Sequence, residues 1–196
     1  MKRLATCIRV ALVVVLALAG CAVPIRGMRE VPAETEVKTT PPPGKAAIVF
    51  MRPSTLGFAI ASSVYEVRDA GDVFIGIVPA KRKLVYFTDP GTSQFMVVSE
   101  AADFMGAELE AGKTYYALVT PRMGVWKARF SLRPITGLDE KDFSAWFNEC
   151  TWIENTPESR AWVKEHWADI QEKKSEYIKK WDAKSDKPIL RAGDSR

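Results

Sequence analysis

The spacing of apolar and polar residues changes several times along this chain of 196 residues. An unbroken apolar run covers residues 10–19, and a polar stretch with five prolines follows it. Alternating, β-type runs begin at Lys45, and apolar residues recur at helical spacing after Pro134. The pattern predicts an apolar leader (1–20), a connector (21–44), a β domain (45–135), a helical extension (136–184) and a polar tail (185–196).

The central segment predicts a mainly β domain. Short runs rich in β-branched and aromatic residues are separated by turn signals such as Asp89-Pro90-Gly91. Strands at this spacing, with no helical pattern between them, favour an antiparallel sandwich or barrel, and we expect a β-sandwich of the immunoglobulin or prealbumin type. About seven or eight strands are expected, among 46–51, 58–68, 73–78, 83–88, 94–98, 107–110, 114–119 and 125–132.

Two helices are predicted after the β domain. The second begins at Thr156-Pro157-Glu158, a cap followed by a proline and an acid in the first turn, and runs to about residue 183. The charged tail, residues 185–196, is punctuated by Gly and Pro and is expected to be disordered. The first helix, with Asp139 as its cap, has four apolar residues on one face: Phe143, Trp146, Phe147 and Cys150.

The second helix has an aromatic face with three possible uses. Packing on the β domain is expected first, because amphipathic helices usually bury their apolar face in this way. A partner protein comes second, since Trp and Tyr are enriched at interfaces. A lipid surface comes third, because helices on lipid usually carry a cationic polar face and this one mixes charges. The possible interaction face consists of Trp162, Trp167, Tyr177 and Trp181.

The leader has the features of an export signal. A basic start precedes the apolar run of residues 10–19, which as a helix would reach only about 15 Å, roughly half of a bilayer core. The run ends at Leu18-Ala19-Gly20-Cys21, which resembles the lipobox of bacterial lipoproteins. The resemblance implies a signal peptide over residues 1–20, cleavage between Gly20 and Cys21, and acyl chains on Cys21. An ordinary secretory signal that ends near a cysteine is the alternative.

The same resemblance implies a cellular location and a mode of membrane attachment. In such lipoproteins an Asp after the cysteine retains the protein in the inner membrane, whereas this chain has Ala22. The mature protein is therefore expected in the bacterial cell envelope, bound to the lipid bilayer through Cys21, on the outer membrane facing the periplasm. Residues 22–44 would then be a tether of at most roughly 70 Å.

A second resemblance covers about residues 45–134. The segments together are similar to an uncharacterised family of bacterial lipoproteins with a small all-β domain. That family has no established activity, so the resemblance implies a fold and a location only. The segments are Ile48-Val49-Phe50-Met51-Arg52-Pro53, Asp72-Val73-Phe74-Ile75-Gly76, Asp89-Pro90-Gly91 and Ala111-Gly112-Lys113-Thr114-Tyr115-Tyr116.

Charge argues against a nucleic acid partner. The formal net charge is +4, but Lys2, Arg3 and Arg9 precede the expected cut, so the mature chain is close to neutral. Binding to phosphates needs a clustered basic surface, which a nearly neutral chain does not suggest.

No catalytic residue, cofactor or metal site is predicted. His166 is the one histidine, and with Cys150 it provides too few ligands for zinc. A Cys150–His166 nucleophilic pair is conceivable, but both residues lie on apolar helix faces, where packing is expected. With Cys7 removed and Cys21 acylated, Cys150 has no disulfide partner in the chain and is either buried or available for an intermolecular bond.

Three functions therefore stay open, in this order. The first is a non-catalytic lipoprotein, an interaction or structural module that binds another envelope protein. The second is a small-ligand-binding lipoprotein with a cleft between sheet and helices, where the basic turn Lys81-Arg82-Lys83 would attract an anion. The third is an enzyme with an unrecognised site.

Mass spectrometry of the mature N-terminus tests the lipobox. We expect Cys21 as the first residue, carrying a diacylglyceryl thioether and an amide-linked acyl chain. The Cys21→Ala variant should lose acylation and leave the membrane fraction, because one thiol carries the anchor. An unacylated start at another residue, or unchanged processing of the variant, would contradict the interpretation.

Overall fold

Two β-sheets enclose the main hydrophobic core of the protein. A computed structural model describes residues 27–122, 129–137 and 142–196. Within these residues eleven strands form the two sheets, and three α-helices lie outside them. The signal peptide, the predicted cleavage site at Gly20 and Cys21, and the predicted cap Asp139 lie outside the described residues.

The first sheet has six strands in the order β1-β10-β5-β2-β8-β9. Its central strand β2 is antiparallel to β5 and parallel to β8. The six strands are β1 (Arg29–Glu30), β2 (Ala46–Arg52), β5 (Arg82–Thr88), β8 (Thr114–Arg122), β9 (Arg129–Pro134) and β10 (Thr151–Glu154).

The second sheet has five strands in the order β11-β7-β6-β3-β4. It packs on the first, and the rings of Phe50 and Phe95 meet across the core at 5.6 Å. The five strands are β3 (Ser63–Val67), β4 (Val73–Ile77), β6 (Gly91–Val98), β7 (Ala102–Leu109) and β11 (Ile189–Leu190).

The predicted mainly β fold is confirmed, and the arrangement is consistent with a β-sandwich. The prediction of purely antiparallel sheets is wrong, because the pairs β2–β8, β5–β10 and β7–β11 are parallel. Parallel pairing needs a long connection between the strands. The helical extension provides such connections, since it returns β10 and β11 to the two sheets. The mixed sheets depart from the antiparallel immunoglobulin arrangement.

Helices cover the outer face of each sheet. Helix α1 packs on the first sheet and helix α3 on the second, so β2 is buried along its whole length. Strands buried on both faces read as continuous apolar runs. The three helices are α1 (Phe143–Glu149), α2 (Pro157–Glu165) and α3 (Trp167–Asp182). None of the helices in the described part of the chain has the length and apolarity needed to cross a membrane.

The predicted helix start at Thr156 is confirmed. The Thr156 hydroxyl accepts hydrogen bonds from the backbone N–H groups of Glu158 and Ser159, and Pro157 occupies the first turn. The single long helix predicted from this point is instead two helices, because the chain leaves helical geometry at His166.

Both ends of the described chain pack on the sandwich. Met28 is buried in the main core, and β1 pairs with β10. At the other end, β11 pairs with β7 and Leu190 is fully buried. The sequence predicted a free tether and a disordered tail, whereas the structure places parts of both segments along sheet edges. Unpaired edge strands readily recruit such short segments.

A matched pair of tryptophan variants tests the packing of α3. Trp181 is 4% exposed and its ring lies 6.0 Å from that of Phe104, whereas Trp167 is 36% exposed. We expect Trp181→Ala to lower the free energy of unfolding by about 3–5 kcal/mol, because it opens a cavity in the core. Trp167→Ala should cost about 1 kcal/mol, as expected for a partly exposed side chain. Urea denaturation measures both, and equal losses would contradict the packing.

Candidate functional site

A buried arginine shapes the loop that leads to the candidate site. Arg52 ends β2 and is fully buried. Its Nη1 donates to the carbonyl of Ile60 at 3.1 Å and to the hydroxyl of Ser62 at 3.0 Å. Its Nη2 donates to the carbonyls of Gly57 at 2.7 Å and Leu56 at 3.2 Å. The guanidinium therefore holds the backbone of the following loop at several points.

The buried charge of Arg52 contacts an aromatic ring as well as its hydrogen-bond acceptors. Its guanidinium lies 4.2 Å from the ring centroid of Phe130, which adds a cation–π contact. Burial lowers the pKa of Arg52 to about 10, so the side chain stays charged at neutral pH. A charged donor makes stronger hydrogen bonds than a neutral one, which stabilises the loop.

Residues 53–62 form what we call the apolar loop. The loop contains no charged residue, although charged residues make up 27% of the chain. Leu56 and Phe58 are 52% and 50% exposed, and they are among the few large apolar side chains of the described residues that face solvent. An exposed apolar segment on a fixed backbone is a typical contact surface.

Sequence reasoning missed this loop. The alternation from Ile60 to Glu66 predicted a strand over residues 58–68, whereas β3 begins only at Ser63. Gly57, directly before the predicted strand, adopts a φ of 67°, and within that strand the carbonyl of Ile60 accepts a hydrogen bond from Arg52. The Arg-Pro pair at 52–53 and Gly57 were the available signals.

A cleft lies where the apolar loop meets helices α2 and α3. It has a volume of about 290 Å³, and its walls are mostly apolar. We call it the helix–sandwich cleft. Among the residues that line it are Ala59, Ile60, Val98, Trp162, His166 and Ile170, with Asp169 and Lys173 also on its boundary.

His166 contributes an oriented imidazole to this cleft. Its Nδ1 lies 2.8 Å from the carbonyl oxygen of Trp162, and the two rings stack at 4.3 Å. A carbonyl oxygen only accepts hydrogen bonds, so Nδ1 carries the proton and Nε2 is the acceptor of the neutral ring. Lys173 donates to the Ser99 carbonyl and to Asp169, both at 2.8 Å. The cleft thus combines apolar walls with a few fixed polar groups.

The four residues of the predicted aromatic face differ in their burial and contacts. Trp181 is buried against the second sheet, and Tyr177 packs beside it. Trp162 lines the helix–sandwich cleft, and Trp167 is the most exposed of the four. The face therefore mainly packs on the β domain, which was the first of its three possible uses.

The structure does not bring Cys150 and His166 together. Cys150 is buried on the outer face of the first sheet, with Val49 and Tyr116, whereas His166 lines the cleft beside the second sheet. Burial raises the pKa of the Cys150 thiol to about 11, which makes it a poor nucleophile. The described residues also contain no group of three or more His, Cys, Asp and Glu that would hold a metal ion.

The basic turn that was considered for anion binding is engaged in packing. Lys81 pairs with Glu149 at 2.5 Å, and Arg82 pairs with Glu30. Lys83 is buried, and its ammonium lies 3.7 Å from the ring centroid of Phe147. These contacts stabilise the packing of β1 and α1 against β5 and the turn that precedes it.

A second, polar cleft lies near the turn between β5 and β6. The buried carboxylate of Glu66 accepts hydrogen bonds from Tyr86, Thr88 and Arg68, each at 2.8 Å. Burial and the neighbouring carboxylate raise the pKa of Tyr86. Because Glu66 already accepts several hydrogen bonds inside the protein, we assign it a role in closing this end of the sandwich.

Comparisons with known proteins include a weak likeness to a solved structure. No family model and no curated protein matches the chain. The NMR structure of a protein from Eubacterium rectale is similar over 50% of this chain and 94% of its own, at 9% sequence identity and a TM-score of 0.32. A likeness of this size supports no conclusion on fold or function.

Removal of the Arg52 guanidinium should loosen the candidate site. We expect Arg52→Met to lower the free energy of unfolding by about 3 kcal/mol, because several buried acceptors lose their donor. The apolar loop should also become sensitive to protease. The control is Arg29→Met, which removes an exposed ion pair with Glu154 and should cost at most about 0.5 kcal/mol. Equal stability of the two variants would contradict the role of Arg52.

Proposed function

We propose that this protein is a lipid-anchored, non-catalytic lipoprotein of the bacterial envelope that binds a partner protein through the helix–sandwich cleft. The anchor is the acylated Cys21, and the location is the outer membrane, with the domain facing the periplasm. The binding part of the proposal rests on one observation. The loop fixed by Arg52 exposes Leu56 and Phe58, and its residues Ala59, Ile60 and Ala61 line a concave, mostly apolar cleft.

The cleft has the properties of a contact surface for a protein segment. Hot spots of interfaces are apolar or aromatic side chains seated in well-packed pockets. Trp162 and Ile60 would form such a pocket, and the polar groups of His166, Asp169 and Lys173 would orient a bound segment. The proposal thus moves the contact from the helix face to the cleft, since most of that face is occupied by the β domain.

We also propose that the scaffold is a variant of the immunoglobulin or prealbumin type of sandwich. Two sheets that share one core support this proposal. In such sandwiches binding surfaces are commonly built from the loops at one end, which is where the apolar loop lies, between the end of β2 and the start of β3.

A small ligand is the second candidate for the cleft. Its volume is at the lower end of the range of known ligand pockets. The His166 ring would offer its Nε2 to a ligand, since Nδ1 contacts the Trp162 carbonyl. A ligand-specific rise in melting temperature across a panel of envelope metabolites would favour this candidate.

A charge placed in the cleft tests the proposed contact. Ala59 is exposed and lines the cleft, so Ala59→Glu adds a carboxylate there without removing core packing. Burying that charge against an apolar partner costs several kcal/mol, so recovery of the partner should fall at least ~10-fold. The measurement is a quantitative pull-down after cross-linking in intact envelopes.

The control is Ala111→Glu, the same substitution in the exposed turn between β7 and β8. It should leave recovery of the partner at the wild-type level. Equal recovery with Ala59→Glu and Ala111→Glu would exclude the cleft as the contact, and a Cys21 that carries no acyl chain would exclude the anchor.

A further inference from the structure

We propose that the protein has a second binding site, a cleft between the two sheets that takes a small carboxylate with an apolar chain, of the fatty-acid type. This cleft and the helix–sandwich cleft share no lining residue among those that the structure describes. The inference therefore goes beyond the proposed function, and it depends neither on the partner protein nor on the anchor at Cys21. Its support comes from the walls of the cleft, the segment that covers it and one arginine at its mouth.

Apolar side chains of both sheets form the walls of this cleft. It lies on the side of the sandwich where β4 ends the second sheet, and Ile75 of that strand lines it. Leu84 of β5 and Ile153 of β10 line it from the first sheet, and all three side chains belong to the main core. The volume is about 380 Å³, which is within the range of known sites for small molecules. We call this cavity the edge cleft.

A turn in the segment after β1 covers the edge cleft. The turn is closed by a hydrogen bond from the Thr35 N–H to the Pro32 carbonyl at 2.9 Å. Val31 precedes the turn and Val37 follows it, and both residues line the cleft. Both are half-buried, whereas a valine in a free linker would lie in solvent. The turn thus brings two apolar residues of one segment to the same cavity.

Hydrogen bonds hold this covering segment on both sides of the turn. Before the turn, the Val31 N–H donates to the Trp152 carbonyl at 2.9 Å. After it, the Thr39 carbonyl accepts a hydrogen bond from the Thr114 hydroxyl at 3.0 Å. Since both connections lead to strands of the sandwich or their ends, the segment is a fixed wall of the cavity. A cavity that is already formed binds a ligand without the cost of ordering its walls.

The mouth of the edge cleft carries one positive charge that is not compensated. Arg160, in the first turn of α2, is exposed and lines the cleft. The other charged residue of the lining, Glu154, is already paired with Arg29 at 2.6 Å. Within the described part of the chain, no carboxylate is paired with the Arg160 guanidinium. An anion at the mouth would therefore find a cation whose pairing capacity is unused.

The polar groups at the mouth favour a carboxylate. A guanidinium forms two parallel hydrogen bonds with a carboxylate, and one positive charge matches its single negative charge. A phosphate monoester carries up to about two negative charges, which one arginine does not balance. Asn155 also lines the cleft, and it donates one amide N–H to the Ile75 carbonyl at 2.8 Å. Because an amide nitrogen has two N–H groups, the second is left for a ligand.

The apolar walls determine the rest of the ligand. A hydrocarbon chain that enters the cleft leaves water and contacts Val31, Val37 and Leu84, which is favourable in proportion to the apolar area buried. The acyl chains of membrane lipids are ester-linked and lack the free carboxylate that Arg160 would bind. The geometry thus favours a free acid over a lipid molecule.

Photoaffinity labelling tests this inference. The protein, purified as the cell produces it, is irradiated at neutral pH with octanoic acid that carries a diazirine. Mass spectrometry then identifies the labelled peptides, and we expect those that contain Val31, Val37 and Leu84. Unlabelled octanoate should prevent labelling. Octanol has the same chain without the charge, and it should compete at least ~10-fold less well.

The matched variants are Arg160→Gln and Arg129→Gln. Arg160→Gln should reduce labelling at least ~10-fold, because the charged hydrogen bonds to the carboxylate are lost. Arg129 is equally exposed, but it lies in β9, at the opposite edge of the first sheet from β1 and β10, so its substitution should change nothing. If Arg160→Gln does not fold, Thr35→Glu replaces it, since this exposed residue lines the cleft and its carboxylate would repel the probe.

Three results would overturn the inference. They are equal labelling of Arg160→Gln and Arg129→Gln, label confined to peptides outside the edge cleft, and octanol that competes as well as octanoate. The proposed function is tested separately, because Arg160 does not line the helix–sandwich cleft. Arg160→Gln should therefore recover the partner protein at the wild-type level in the pull-down, so that either proposal can fail while the other holds.

Discussion

The exposed apolar loop of this protein depends on one buried positive charge, the guanidinium of Arg52. Moving an ion out of water is costly unless hydrogen bonds replace its hydration. The two terminal nitrogens of Arg52 meet this requirement by donating to carbonyl oxygens of the chain that follows it, from Leu56 to Ile60. Those carbonyls accept hydrogen bonds from the guanidinium and not from a neighbouring strand. The same interaction therefore ends β2, delays β3 until Ser63 and leaves Leu56 and Phe58 in solvent.

Coverage of both sheets by helices explains the distribution of apolar residues elsewhere. The first sheet lies between the main core and α1, and the second between that core and α3. Aromatic side chains that resemble a contact surface in the sequence, such as Trp181 and Phe147, are needed to fill these outer layers. Of the four large apolar side chains that are exposed in the described part of the chain, the two most exposed, Leu56 and Phe58, lie in one loop. A binding function is therefore better assigned to the loop and its cleft than to the helix.

Burial of apolar side chains also holds both ends of the described chain against the sandwich. Two segments whose composition is typical of linkers each place an apolar side chain, Met28 or Leu190, in the core. Each is supported by a two-residue strand at a sheet edge. If Cys21 carries the proposed lipid anchor, the residues left between lipid and domain would set how far the domain stands from the bilayer.

The sequence alone determined the class of the fold and several of its elements. Strands β2, β4 and β5 and the helix start at Thr156 follow from local patterns, because side-chain alternation and capping depend on neighbours along the chain. Only the tertiary structure decided the parallel pairing of β2 with β8, the burial of Trp181 and the loop held by Arg52. Each of these depends on residues far apart in sequence, and a local pattern does not specify which distant groups will compete for a carbonyl oxygen or cover an apolar face.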